Sequence, residues 1–261
     1  MSKNTVNKIT KKIVCGNWKM NPRSSVEAEK LFLEIIKELP SIKKTDVVIC
    51  PPFLYLEKFR KISKKITLGA QDAFIGNIGA YTGEISPEML CSIGCKYVIL
   101  GHSERRTLGE NNNDINKKIK STLSSGLVPV VCVGENMRDE NHEYLNFIKT
   151  QIEESLDKVS RNSISKIVIA YEPVWAIGKG ALPATPEEFR EMNIFIRKVL
   201  SDKFGVKDIK NIRIIYGGSV DEKNTEEFIK NGHADGFLLG RASLDPKKFS
   251  KIIKICEALN K

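Results

Sequence analysis

Ile167-Val168-Ile169-Ala170-Tyr171-Glu172-Pro173 sets five apolar residues in a row against a carboxylate and a proline. The run does not alternate apolar with polar, as a strand with one wet face would. A strand buried on both faces, as in a parallel sheet, reads this way. Seven more runs of the same kind occur along the chain, at residues 13–15, 47–50, 66–68, 97–100, 128–133, 212–216 and 236–239.

Helical patterns separate these runs. Ala28, Leu31, Phe32, Ile35, Ile36 and Leu39 recur at spacings of three and four. So do Phe189, Met192, Phe195, Ile196, Val199 and Leu200, and again Phe249, Ile252, Ile253, Cys256 and Leu259. Such spacing puts one apolar stripe on a helix. Ser24 with Glu27 and Thr185 with Glu188 predict capping boxes. Ser86-Pro87, Thr185-Pro186 and Asp245-Pro246 put a capping side chain before a proline suited to a first turn. Strands alternating with helices predict a parallel sheet, and eight such units predict an α/β fold, a (β/α)₈ barrel. An open doubly wound sheet is the rival. Its dinucleotide-binding form would carry GxGxxG after the first strand, and that pattern is missing there.

The 261 residues match the roughly 250 of such a barrel. Two small domains would also fit the length, but no Pro/Ser-rich linker divides the chain. The expectation is one barrel domain over residues 1–261, with residues 1–11 as a short basic extension. Hydrophobic residues make up 41% and charged residues 28%, an ordinary globular balance.

The formal charge of +10 has two readings, a solvated lysine-rich surface and a nucleic-acid binder. The second needs clustered cations with aromatics or a recognition motif. Here the lysines are spread out and aromatics are 7%, so no nucleic-acid partner is expected. The field could still steer an anionic substrate. None of the six cysteines forms a CxxC pair, and Cys91 and Cys95 have no histidine beside them in sequence. No metal is expected, and the thiols read as reduced. No apolar run reaches the ~18–20 residues of a membrane helix, and the start has no signal-peptide core. The expectation is a cytoplasmic protein with no membrane partner.

A barrel of this kind does its chemistry on the loops that leave the C-terminal ends of the strands. After the first run comes Gly16-Asn17-Trp18-Lys19-Met20-Asn21, which can offer a cation to an anionic centre. After the fourth comes Gly101-His102-Ser103-Glu104-Arg105-Arg106. A ring at the start of a short helix there meets a positive dipole, which favours its neutral form. Glu172 ends the sixth run, where burial would make it a stronger base. Residues 173–183 then form a long, aperiodic, glycine-containing connection of the kind that serves as a lid. Tyr216-Gly217-Gly218-Ser219 and Leu239-Gly240-Arg241-Ala242-Ser243 follow the last two runs, where barrels frequently bind phosphate through backbone N–H groups.

These segments, in this order, resemble the signature segments of triosephosphate isomerase, from about Lys12 to the C-terminus. The resemblance implies interconversion of dihydroxyacetone phosphate and D-glyceraldehyde 3-phosphate, a step of glycolysis and gluconeogenesis. It implies a homodimer with no metal or organic cofactor. By position, Glu172 is the base, His102 the neutral electrophile, and Lys19 and Asn17 the residues that bind substrate and stabilise the enediolate. Glu104 supports Lys19. Gly178, Ser219, Gly240 and Arg241 match the positions whose backbone holds phosphate. Residues 71–84 match the loop that enters the partner subunit, with Thr82 near Asn17 and Lys19 of the partner subunit and Glu84 paired with its Arg105. Three departures stand out. Arg241 replaces a common glycine, Lys179 replaces a common threonine, and residues 180–185 read about one residue long. All three touch lid or phosphate rather than the acid–base pair.

Two rivals are kept. A Schiff-base aldolase would need a buried lysine, but the sixth run ends in Glu172. A non-catalytic anion or nucleic-acid binder on a retained barrel would not need Lys19, His102 and Glu172 together.

Overall fold

The computed structural model of the chain describes residues 11–176 and 183–259. Eight strands are formed: β1 (Lys12–Asn17), β2 (Thr45–Cys50), β3 (Thr67–Ala70), β4 (Tyr97–Leu100), β5 (Val128–Val133), β6 (Val168–Tyr171), β7 (Arg213–Tyr216) and β8 (Gly236–Leu239). Each falls on one of the eight apolar runs, with ends shifted by a residue or two. All pair in parallel with their sequence neighbours, and β1 also pairs with β8, with Ile13 opposite Gly236 and Gly16 opposite Leu239. The sheet is a closed barrel in chain order.

The helices are α1 (Ser25–Glu38), α2 (Phe53–Ile62), α3 (Pro87–Ser92), α4 (Ser103–Thr107), α5 (Asn112–Ser124), α6 (Glu143–Ser155), α7 (Arg161–Ile164), α8 (Pro186–Phe204), α9 (Val206–Ile209), α10 (Thr225–Lys230) and α11 (Pro246–Leu259). The short α4, α7 and α9 lie outside the simple eight-unit reading. Thr185 forms a complete capping box with Glu188. The expected box at Ser24 forms only in half. Ser24 accepts the Glu27 N–H, but the Glu27 carboxylate accepts from Arg23 N at 3.3 Å instead of from Ser24. One residue of displacement suffices, because Arg23 N–H lies at the same helix mouth. Asp245 caps α11 through the N–H groups of Lys247 and Lys248.

The strands are buried on both faces, as their runs predict. Side chains such as Ile13, Cys15, Val48, Ile99, Cys132 and Ile215 fill the barrel interior. Their neighbours Val14, Ile49, Val98, Val131 and Ile214 point outward under the helices. One end of the interior is closed by Arg213, whose Nη1 donates to Asp46 Oδ2 at 2.8 Å beside the Tyr97 hydroxyl. A second polar group is buried outside the barrel. Lys118 on α5 donates to both Asp72 oxygens at 2.9 and 2.8 Å, and to Glu110. Arg105 on α4 adds a 2.8 Å contact to Asp72. This group fastens the root of the segment after β3 to α4 and α5. Breaking such a pair leaves an uncompensated buried charge.

Candidate active site

The C-terminal ends of the strands open into a cavity of about 310 Å³ lined by Asn17, Lys19, His102, Glu172, residues 217–220, Gly240 and Arg241. The chain thus gathers residues from five stretches far apart in sequence.

Lys19 leaves β1 with φ +52°, a left-handed backbone that non-glycine residues rarely adopt. Three contacts hold it there. Its N–H donates to Asn17 Oδ1 at 3.0 Å, and its carbonyl accepts from Gln71 Nε2 at 2.8 Å. Gln71 also donates to the Cys50 carbonyl at 2.9 Å, tying β1 to β2. The Lys19 ammonium meets Glu104 Oε1 at 2.6 Å. Strain kept by surrounding structure is a mark of functional positions. Gln71 has no motif signal in this place, and sequence reading assigned it only to a loop boundary.

His102 is the N-cap of α4. Its Nδ1 accepts the Glu104 N–H at 3.2 Å. That nitrogen therefore carries no proton in the bonded state, and Nε2–H is the donor. Nε2 lies 3.1 Å from Glu172 Oε1. Glu172 is almost wholly buried at 2% exposure, and its Oε2 accepts the Ser103 N–H at 2.9 Å. Both carboxylate oxygens are thus held by donors from one short segment, residues 102–103. The Cys132 thiol sits beside Glu172, and burial foremost, then this carboxylate, push its pKa well above the ordinary thiol value.

Two glycines make room for this carboxylate. A Cβ on Gly134 would stand 1.7 Å from the Glu172 carbonyl oxygen, and one on Gly217 would stand 2.9 Å from Glu172 Cγ. Neither approach is visible in the sequence, since both depend on β5, β6 and β7 lying side by side. Glu135, at the exit of β5, is also buried. Its Oε1 accepts from Tyr171 Oη at 2.7 Å, Trp175 Nε1 at 2.8 Å and Arg138 Nε at 3.1 Å. These bonds anchor the short turn Val174–Ala176 that follows Glu172. Sequence reading missed Glu135 and Arg138, whose spacing matches no known motif.

On the far side of the cavity Gly240 caps the single turn Arg241–Leu244. Arg241 lines the cavity, is exposed, and makes no ion pair among the described residues. Ser219 lines the same side. Glu104 and Arg105 border a neighbouring cleft with Asn17, Lys19, Gln71 and Asp72. Thr82 and Glu84 are exposed on the segment after β3, and within the chain Arg105 engages Asp72 rather than Glu84. Gly178, Lys179 and most of the expected lid lie outside the described residues.

A buried carboxylate, an imidazole with one donor nitrogen and an ammonium share one mouth, with glycine-rich turns opposite. This equips the mouth for moving protons on a small anion, and it puts the chain among the acid–base enzymes of the (β/α)₈ barrels. The family model for triosephosphate isomerase matches residues 12–256. A triosephosphate isomerase of Dictyoglomus thermophilum is 44% identical over 248 residues, covering 94% of this chain and 99% of the relative. One from Caldanaerobacter subterraneus subsp. tengcongensis is 46% identical over 248 residues, covering 92% and 98%. One from Aquifex aeolicus is 42% identical, covering 93% and 98%. The chain belongs to the triosephosphate isomerase family, and it is an isomerase.

Proposed function

We propose that Glu172 is the base of this isomerase, with His102 as its electrophile and Lys19 as the fixed cation. The reaction interconverts dihydroxyacetone phosphate and D-glyceraldehyde 3-phosphate through an enediolate. Glu172 takes a proton from the carbon beside the carbonyl, and the electron pair of that C–H bond becomes the C–C double bond of the enediolate. His102 Nε2–H donates to the carbonyl oxygen as its charge grows, and the Lys19 ammonium balances that charge. Glu172 then returns the proton to the neighbouring carbon, while the hydroxyl proton passes from one enediolate oxygen to the other beside His102 Nε2. Net change is one proton moved between carbons, one moved between oxygens, and no group lost. Substrate must take the place of the Glu172 contacts to Ser103 and His102, so the base exchanges two protein donors for a carbon acid as substrate binds.

The observation that carries this reading is the paired geometry of His102. Its Nδ1 is bonded to the Glu104 N–H, so Nε2–H faces Glu172 at 3.1 Å. Backbone N–H groups at Ser219, Gly240 and Arg241, with Gly178, hold the phosphate, and Asn17 assists Lys19. The remote phosphate contributes binding energy that can orient the reacting carbons.

The active form is a homodimer of single-domain chains, each with a basic extension at residues 1–11. Ile78 is 92% exposed and Tyr81 is 53% exposed on the segment after β3. An apolar set of this kind in water marks a contact surface. In the dimer Thr82 approaches Asn17 and Lys19 of the partner subunit, and Glu84 meets its Arg105. The protein acts in the cytoplasm, which fits six free cysteines.

The test is a coupled assay with D-glyceraldehyde 3-phosphate on the parent and on Glu172→Gln. The parent turns over, and the variant binds substrate but loses about 10²–10⁴-fold in kcat, the usual worth of general-base catalysis. Near-normal turnover in the variant would remove Glu172 from the mechanism.

A further inference from the structure

At the opposite end of the barrel a second cavity, of about 540 Å³, opens between α8 and the segment entering β8. Its size falls within the ~300–1,000 Å³ of small-molecule sites. Lys12 begins β1 and lines this cavity, whereas Asn17 ends β1 at the catalytic mouth. The five residue steps from Lys12 to Asn17, at ~3.3 Å each, separate the two sites by about 17 Å.

The lining charges do not balance. Lys12, Arg190 and Arg197 face one carboxylate, Asp235. That carboxylate is already engaged, since Asp235 Oδ2 accepts from Arg197 Nη2 at 2.7 Å and from Ile214 N at 2.9 Å. Among the described residues Lys12 Nζ donates to the Ala234 carbonyl at 3.1 Å. Among the described residues, neither Lys12 nor Arg190 has a carboxylate partner, and the remaining residues of the chain include no Asp or Glu. Asn193 is buried and donates to the His233 carbonyl at 3.0 Å, which leaves its second amide hydrogen available. Gathering cations without counter-charge costs free energy that a bound anion recovers.

We propose that this cavity is a second anion site, for a ligand bearing a polyphosphate group. Lys12 and Arg190 supply the unpaired charge, and a guanidinium is suited to grip phosphate oxygens two at a time. Ile194 and Ile229 line the same cavity and offer an apolar wall to whatever carries the phosphates.

The experiment is calorimetric titration of the full-length protein with inorganic tripolyphosphate and, separately, with magnesium-free ATP. Both are repeated with the catalytic mouth saturated by an equilibrium mixture of the two triose phosphates. Arg190→Gln is the main variant because its side chain is exposed and makes no bond among the described residues, so the described fold does not depend on it. Lys12→Gln is the second. Expected is binding that persists when the mouth is saturated, weakens with salt, and falls about fivefold in Arg190→Gln, equivalent to ~1 kcal/mol. The KM for triose phosphate stays unchanged. Equal affinities would identify the polyphosphate alone as the recognised group, and tighter ATP binding would assign the apolar wall to a nucleoside. The proposal fails if neither probe binds at millimolar concentration. It also fails if triose phosphates displace the probes, or if both variants bind as the parent does. None of these outcomes bears on Glu172, which the isomerase assay tests separately.

Discussion

Glu172 depends on two residues that have no chemistry of their own. Gly134 and Gly217 leave space where any side chain would strike the Glu172 side chain or its backbone. A Cβ 1.7 Å from a carbonyl oxygen cannot be accommodated without moving β6 against β5. Gly134→Ala is therefore expected to cut kcat at least as much as it lowers stability. Steady-state kinetics beside urea unfolding checks this, and a variant that keeps parental kcat would show that the base tolerates the shift. Arg241 should behave in the opposite way. It keeps the backbone N–H that a glycine would offer, and its side chain is exposed without an ion pair in the described structure. Long cationic side chains can cover apolar surface while the head stays in water. Arg241→Gly is expected to change KM by less than about tenfold, or under ~1.4 kcal/mol. A larger loss that shrinks with added salt would make the guanidinium itself a phosphate ligand.

The segment after β3 is the element on which the proposed dimer turns. Its root is rigid, because Asp72 sits in the buried group with Lys118, Glu110 and Arg105, and Gln71 holds the Lys19 carbonyl. Its tip is apolar and exposed, with Phe74 packed on Tyr81 at 4.5 Å between ring centroids. A rigid root with an apolar tip presents a preformed contact surface. Ile78→Lys with Tyr81→Lys, both at exposed positions, should yield monomers by light scattering. Activity should fall with them, since in the proposed dimer Lys19 is supported by the partner subunit. A fully active monomer, or a dimer that survives both charges, would count against the proposed assembly.

Across the whole molecule, buried thiols make the fold sensitive to alkali. Burial pushes Cys95 and Cys256 from 9.0 up to about 12. Above pH 9 the unfolded chain releases these protons, while the folded chain keeps them until about pH 12. The folded state then holds more protons, so stability falls as pH rises through this window. Each thiol contributes a slope of about 1.4 kcal/mol per pH unit. Urea midpoints taken between about pH 9 and 11 measure this slope, and Cys256→Ala should flatten it by about one proton. An unchanged slope in that variant would mean Cys256 does not stay protonated in the fold.

Much of this architecture was legible before any coordinates. The eight apolar runs located the eight strands because a strand buried on both faces cannot hide its composition. The Thr185 cap was legible because a helix start must satisfy its own N–H groups locally. That Lys19, His102 and Glu172 would share one mouth was legible because strand exits gather at one end of a barrel. What the sequence could not express is side-by-side placement. The Glu135 anchor with Tyr171 and Trp175 and the Gln71 tie to Lys19 both join residues whose neighbours are set by closure of the sheet. So are the clearance at Gly134 and the two cavities at opposite ends of the strands. Local sequence determines which segments become strands and helices, since propensity, capping and burial act over a few residues. Which side chains then meet is decided by the barrel's register, which only the closed tertiary structure specifies.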